Sequence, residues 1–304
     1  MPSLLRSHLA LFLVNLLYGA SYVVSKGLMP CVIGANGFIL LRVVGATFLF
    51  WLIFSMRYEK VSRRDMGLLA ICGLFGVGIN QLFFFNGLML TSPINAPVIM
   101  TTTPILVLIL SLIFLKDSIR TIQVVGIILG AVGAVIFSLQ NSAGGFATGL
   151  GDLFIFLNGV AYAIYLILVK PLMSRYSAVT VITWVFTFGI LFVLIWPYSI
   201  PEFQAVPWSE LSFPVILRMA FVVVGVTFLP YLLNVYAMKK VSPTVSSVYI
   251  YFQPLFATAF VYLFYILGLE DYRADISLAK ILSALIIFVG VYLVIRPESK
   301  KSLF

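Results

Sequence analysis

Residues 86–104, NGLMLTSPINAPVIMTTTP, and residues 236–254, YAMKKVSPTVSSVYIYFQP, share their punctuation: Ser-Pro, then Pro again eleven residues later, at a constant offset of 150. Ser92-Pro93 answers Ser242-Pro243, and Pro104 answers Pro254. The chain on either side is almost continuously apolar. A hydrocarbon core of roughly 30 Å is crossed by about 20 helical residues, and ten such stretches follow one another. They run from His8 to Met29, Gly34 to Ser55, Met66 to Leu90, Pro93 to Leu115, Ile119 to Leu139, Leu150 to Val169, Ala178 to Trp196, Phe213 to Met238, Pro243 to Leu267 and Ile276 to Ile295. With 62% hydrophobic residues, 10% charged and a mean hydropathy of +1.14, a soluble domain is excluded. The longest connector, Pro197 to Ser212, is too short to fold into a catalytic domain outside the membrane.

The repeat divides the ten helices into two fives, residues 1–141 and 142–304. The leading helix of each half agrees through Asn15, Tyr22 and Lys26 against Asn158, Tyr165 and Lys170, and the last through Gly130 to Gly133 against Gly290. Because five is odd, the second half enters the membrane from the side opposite to the first. The expected fold is therefore an all-α integral membrane protein, with ten transmembrane helices in two inverted-topology five-helix repeats. That architecture is typical of secondary transporters, whose substrate sites lie near the midplane between the repeats.

The formal net charge of +9 reports topology and contact with anionic lipid, and does not point to nucleic acid. Fourteen of the 19 Lys+Arg fall on one side when ten helices are threaded: Arg6, Arg57, Lys60, Arg63, Arg64, Lys116, Arg120, Lys170, Arg175, Lys239, Lys240, Arg296, Lys300 and Lys301. The opposite connectors hold Thr91-Ser92, the Gly-rich Asn141 to Gly149 stretch, Glu202 and Glu210, and Glu270-Asp271-Tyr272-Arg273. By the positive-inside rule both termini are cytoplasmic, in a multi-pass protein of the cell membrane. The first stretch exceeds a signal-peptide core, and its removal would unbalance the repeat. Cys31, Cys72 and the single His8 supply neither a disulfide framework nor a metal site, and no cofactor is expected.

Within the spans the chemistry is amide and phenol. Asn15, Tyr18 and Tyr22 share one helical face, as do Asn158, Tyr162 and Tyr165. Asn80, Gln81, Tyr231, Asn234, Tyr249 and Gln253 complete a candidate substrate-binding set, since such groups cannot face lipid unsatisfied. No Asp or Glu lies well inside a span; Asp152 and Asp117 sit at helix ends, which argues against a carboxylate proton relay. Arg42, a cation inside the second helix, has two readings: structural, bonded within the bundle or snorkelling outward, or substrate-facing, attracting a carboxylate. Lys26 reads as a snorkelling anchor. Pro97, Pro104, Pro230 and Pro254 remove backbone donors and shape or gate their helices. Gly126, Gly130 and Gly133 form a small-residue face for packing within the protomer or in a homodimer.

The chain resembles the EamA-type drug/metabolite transporters. The resemblance is carried by Leu17-Tyr18-Gly19-Ala20-Ser21-Tyr22, Leu40-Leu41-Arg42, Asn86-Gly87-Leu88 through Pro104, Gly126 to Gly133, Tyr236-Ala237-Met238 through Pro254, and Gly290-Val291-Tyr292. It departs from the family where Tyr18 replaces a frequent Trp and Lys116-Asp117 replaces Gly-Glu. The resemblance implies a cavity lined by helices one, three, four, six, eight and nine. The resulting expectation is a transporter that moves small metabolites, amino acids or similar amphipathic solutes, by alternating access and in the direction of export. The alternative is an integral-membrane enzyme or receptor using the same cavity.

Overall fold

The computed structural model of the chain describes residues 2–56, 58–93, 95–116, 119–139, 149–269 and 278–295. Among these, the long helices follow the apolar stretches: α1 (Pro2–Leu28), α2 (Ala35–Met56), α3 (Arg63–Leu90), α4 (Asn95–Leu115), α5 (Thr121–Leu139), α6 (Gly149–Met173), α7 (Ala178–Ile195), α8 (Phe213–Met238), α9 (Pro243–Ile266) and α10 (Leu278–Ile295). Their outer surfaces expose Phe48, Phe114, Leu217 and Ile266, side chains that water would not tolerate in such density and that lipid accepts. Arg57, Asp117, the residues 140–148 that include the boundary between the halves, Glu270 to Arg273, and Arg296, Lys300 and Lys301 lie outside the described residues.

The halves pack crosswise. Helix α1 lies on α8 and α9, and α6 lies on α3 and α4; α2 meets α7, and α5 meets α10. Every pair is the image of another, or of itself, when the halves are exchanged. The α5–α10 contact consumes the small-residue face. A Cβ on Gly126 would stand 2.7 Å from the Gly290 carbonyl oxygen, and one on Gly130 would stand 2.3 Å from the Tyr251 ring. That face therefore packs within the protomer, so the homodimer reading of these glycines does not hold.

Helix irregularities repeat as well. A π-helical turn at Leu74–Gly78 interrupts α3, and one at Val222–Phe228 interrupts α8. A 3-10 turn at Met100–Thr102 precedes Pro104 in α4, and one at Tyr249–Phe252 precedes Pro254 in α9. Such turns accommodate the missing N–H of proline and are frequent at functional sites. Pro97 behaves differently from the expectation: it sits in the first turn of α4, where no intrahelical partner is needed.

Two lysines tie the leading helices to the bundle. Lys26 Nζ donates to the carbonyls of Leu88, Met89 and Thr91 at 2.9, 2.8 and 2.9 Å. Lys170 Nζ donates to those of Met238 and Val241 at 2.6 and 2.7 Å, which are the counterparts of Leu88 and Thr91 at the offset of 150. Each ammonium satisfies orphan carbonyls at a helix C-terminus, where the macrodipole is negative. Lys26 is thus a helix clamp and not a snorkelling anchor.

Two glutamates act at the opposite helix poles. Between α7 and α8 the connector forms a short helix, Ser199–Gln204, and its Glu202 accepts from the backbone of Asn36 and Gly37 at 2.7 and 3.1 Å and from Asn36 Nδ2 at 2.7 Å. It caps the N-terminus of α2. Glu59, which follows α2, accepts from the Ser177 backbone at 2.9 Å and from the Thr180 hydroxyl, and so caps α7. Glu59 and Glu202 are 143 positions apart, the spacing of Asn15 and Asn158. Burial is the largest single influence on the Glu59 carboxyl and pushes it upward, but the Thr180 and Ser177 hydrogen bonds, with Lys239 nearby, outweigh it and hold the group below its ordinary range.

Candidate functional site

The crosswise packing leaves a cavity of about 70 Å³ between α1, α2, α3, α4, α6, α8 and α9, against the roughly 10–15 Å³ that a single water requires. Of the residues singled out in the sequence, Asn15, Tyr18, Tyr22, Asn80, Gln81, Asn158, Tyr162, Tyr231, Asn234 and Gln253 line it, and so does Arg42. Tyr165 and Tyr249 do not. The Tyr165 ring turns onto α3, where a Cβ on Gly76 would stand 2.5 Å from it, and the Tyr249 hydroxyl bonds His8 Nδ1 at 2.8 Å. Sequence reasoning missed Ser21, Ser246, Phe84, Phe85, Met100 and Ile250 in the wall; the aromatic and aliphatic members gave no signal distinct from core or lipid-facing positions.

Short-range bonds organise the polar lining. Gln253 bridges two residues of α1: its Nε2 donates to Asn15 Oδ1 at 2.7 Å, and its Oε1 accepts from the Tyr22 hydroxyl at 2.7 Å. On the other wall Gln81 Nε2 donates to the Tyr231 hydroxyl at 3.0 Å, which donates onward to the Gly76 carbonyl at 3.0 Å. The Gly76 carbonyl belongs to the π-helical turn of α3, so the irregularity exposes the acceptor that positions Tyr231. Asn158 Nδ2 donates to the Asn80 carbonyl at 2.8 Å. Asn234 donates to the Tyr162 hydroxyl and accepts from Ser246 at 3.1 Å.

Two trios are equivalent in position and unequal in bonding. Asn158, Tyr165 and Thr103 occupy the places that correspond to Asn15, Tyr22 and Gln253. In this second trio Asn158 Oδ1, Tyr165 Oη and Thr103 Oγ1 are buried without a hydrogen-bond partner. Leaving a buried polar atom unsatisfied costs about 1–3 kcal/mol.

Arg42 is 3% exposed. Its Nε donates to Thr227 Oγ1 at 2.9 Å, and its guanidinium carbon lies 4.2 Å from the centroid of the Phe85 ring, a cation–π contact. It does not snorkel to the outer surface. Thr227 sits in the π-helical turn of α8, so this irregularity, like its counterpart in α3, presents a polar group to the cavity.

The EamA-like transporter family model matches the chain twice, over residues 5–139 and 149–296. An "uncharacterized transporter" of Archaeoglobus fulgidus is 28% identical over 85% of this chain and 87% of its own length. A "probable terminal-alkyne amino-acid exporter" of Streptantibioticus cattleyicolor is 24% identical over 67% of this chain and 68% of its own length. One solved structure, described as "Crystal structure of protein", shares the fold with a TM-score of 0.72 at 19% identity, over 94% of this chain and 95% of that one. Apolar helices packed around a cavity lined by amides and phenols, with the family model matched across both halves, establish that this multi-pass membrane protein belongs to the EamA-like transporter family.

Proposed function

We propose that the protein is a secondary transporter that moves small amphipathic metabolites, amino acids or similar solutes, out of the cell by alternating access. Residues 1–141 and 142–304 act as its inverted repeats, and both termini are cytoplasmic. The observation that carries this reading is the unequal state of the two equivalent trios. Asn15, Gln253 and Tyr22 form a closed network, while Asn158 Oδ1, Thr103 Oγ1 and Tyr165 Oη are buried without a hydrogen-bond partner among the described residues. Two bundles related by inversion reach the opposite-facing state by exchanging arrangements. The second trio then closes, with Tyr165 donating to the Thr103 hydroxyl and Thr103 donating to Asn158 Oδ1, while the first opens. The name of the Streptantibioticus cattleyicolor relative supports export of an amino-acid-like solute.

The test is reconstitution of the full chain in proteoliposomes and measurement of labelled amino-acid exchange against protein-free vesicles. Saturable counterflow is expected. Rates equal to those of empty vesicles across a panel of amino acids and neutral amphipathic solutes would remove the transport reading.

A further inference from the structure

The guanidinium of Arg42 stands in the cavity wall without an anion. Its Nε is engaged by Thr227, and the Phe85 ring supports its face, but Nη1 has no partner. Among the described residues no Asp or Glu lines the cavity. A structural arginine buried at this depth would be expected to carry a carboxylate partner, because an uncompensated buried cation is heavily penalised. Thr227 and Phe85 instead fix the fork while leaving Nη1 uncommitted, an arrangement suited to a planar oxyanion. Two further residues of the same lining each hold a buried oxygen without a hydrogen-bond partner, Gln81 Oε1 and Asn158 Oδ1. Their amide nitrogens are already committed to Tyr231 and to the Asn80 carbonyl, so the uncommitted atoms of these two side chains are acceptors.

We propose that Arg42 binds the carboxylate of the transported solute and that Gln81 Oε1 and Asn158 Oδ1 receive its ammonium, giving a subsite for an amino-carboxylate zwitterion. The apolar remainder of the solute then lies on Phe84, Met100 and Ile250. The position equivalent to Arg42 in the second half is Val185, which is fully buried. With one cation and no mirror-image partner, the solute binds in a single orientation although the surrounding cavity is nearly symmetric. This assignment rests on the transport reading above for its substrate, but its test reads binding and not movement.

The probes are L-leucine, L-leucinamide, which lacks the carboxylate, and 4-methylpentanoate, which lacks the ammonium. Dissociation constants for the detergent-purified full chain are taken from ligand-induced shifts in melting temperature. Leucine should bind about tenfold or more tightly than leucinamide, the ratio set by one charge-assisted hydrogen bond, with 4-methylpentanoate between them. Arg42→Gln should bring the leucine-to-leucinamide ratio to about one, and Asn158→Leu should weaken leucine while sparing 4-methylpentanoate. If Arg42→Gln does not fold, the wild-type series alone decides. Equal behaviour of leucine and leucinamide, whether both bind or neither does, overturns the assignment. Zwitterion-selective binding without counterflow would instead sink the transport reading and leave the subsite standing.

Discussion

Gln81 and Tyr231 are equivalent under the repeat, 150 positions apart, and they are bonded to each other at 3.0 Å. A residue that touches its own image lies on the axis relating the two halves. This bond therefore marks the pseudo-two-fold axis, and the cavity that surrounds it is built from both halves at once. Tyr231 extends the link to Gly76, so the axis is pinned to a π-helical turn on the α3 side. In the proposed exchange of the trios, the flanking groups rearrange about this point.

Tyr165→Phe and Tyr22→Phe should part company. Removing the Tyr22 hydroxyl strands Gln253 Oε1 and should lower stability by about 1–3 kcal/mol. Removing the unbonded Tyr165 hydroxyl should leave the melting temperature unchanged or raise it, yet counterflow should fall in both variants. Full flux in Tyr165→Phe would show that its hydroxyl is not used in the other state.

The lysine clamps lend themselves to a paired comparison. Lys26→Met and Lys170→Met each strip two or three carbonyls of a charged donor and should each cost several kcal/mol at about 1.5–3 kcal/mol per bond. Lys60→Ala, at an exposed connector position, should change the melting temperature little. Melting curves in detergent, monitored by dye binding at exposed thiols, separate the cases.

Acid should loosen the α7 cap. The Glu59 carboxyl is held below the ordinary glutamate value of 4.5 in the folded chain, so its contribution is complete above that value and is lost as pH falls through the lower folded one. Melting temperature measured from neutral pH downward should therefore begin to fall near 4.5. Glu59→Gln should start lower and show a shallower acid limb, and an identical limb in both proteins would assign the acid sensitivity elsewhere.

Native thiols report orientation without any substitution. Cys31 is exposed and Cys72 buried; Cys31 follows α1 on the side opposite the amino terminus. A membrane-impermeant maleimide added to intact cells should label the chain once, at Cys31, and a Cys31→Ser chain should stay dark. Labelling only after lysis would invert the orientation.

Much of this fold could be read from the chain because its signals are local. Apolar length fixes the helices, and Ser-Pro with a following Pro marks the repeat even where neighbouring residues have diverged. The polar set was legible for a related reason: an amide or phenol in an apolar helix has nowhere else to turn. What sequence did not reveal depends on rotation and distance. Tyr165 and Tyr249 share stripes with lining residues but point onto α3 and His8, a matter of tens of degrees about a helix axis. Glu59 and Glu202 repeat at the same spacing as Asn15 and Asn158, yet connectors carry no period by which to predict what a carboxylate will reach. Arg42 could be read from sequence as structural or substrate-facing; Thr227, in the other half and within a π-helical turn, holds it inside, which sequence did not reveal.

The reciprocal caps have a consequence beyond stability. Glu59 grips the helix whose own trailing glutamate, Glu202, grips back, so residue i meets j as j meets i. That is the isologous contact of a two-fold homodimer, here closed between two parts of one polypeptide. In a true homodimer any change would appear on both subunits together. Joined in one chain, the two copies are free to drift apart, and Gln253 where the other half has Thr103, or Arg42 where it has Val185, are differences that no symmetric pair of subunits could carry. Covalent linkage is what permits a near-symmetric scaffold to carry an asymmetric set of side chains.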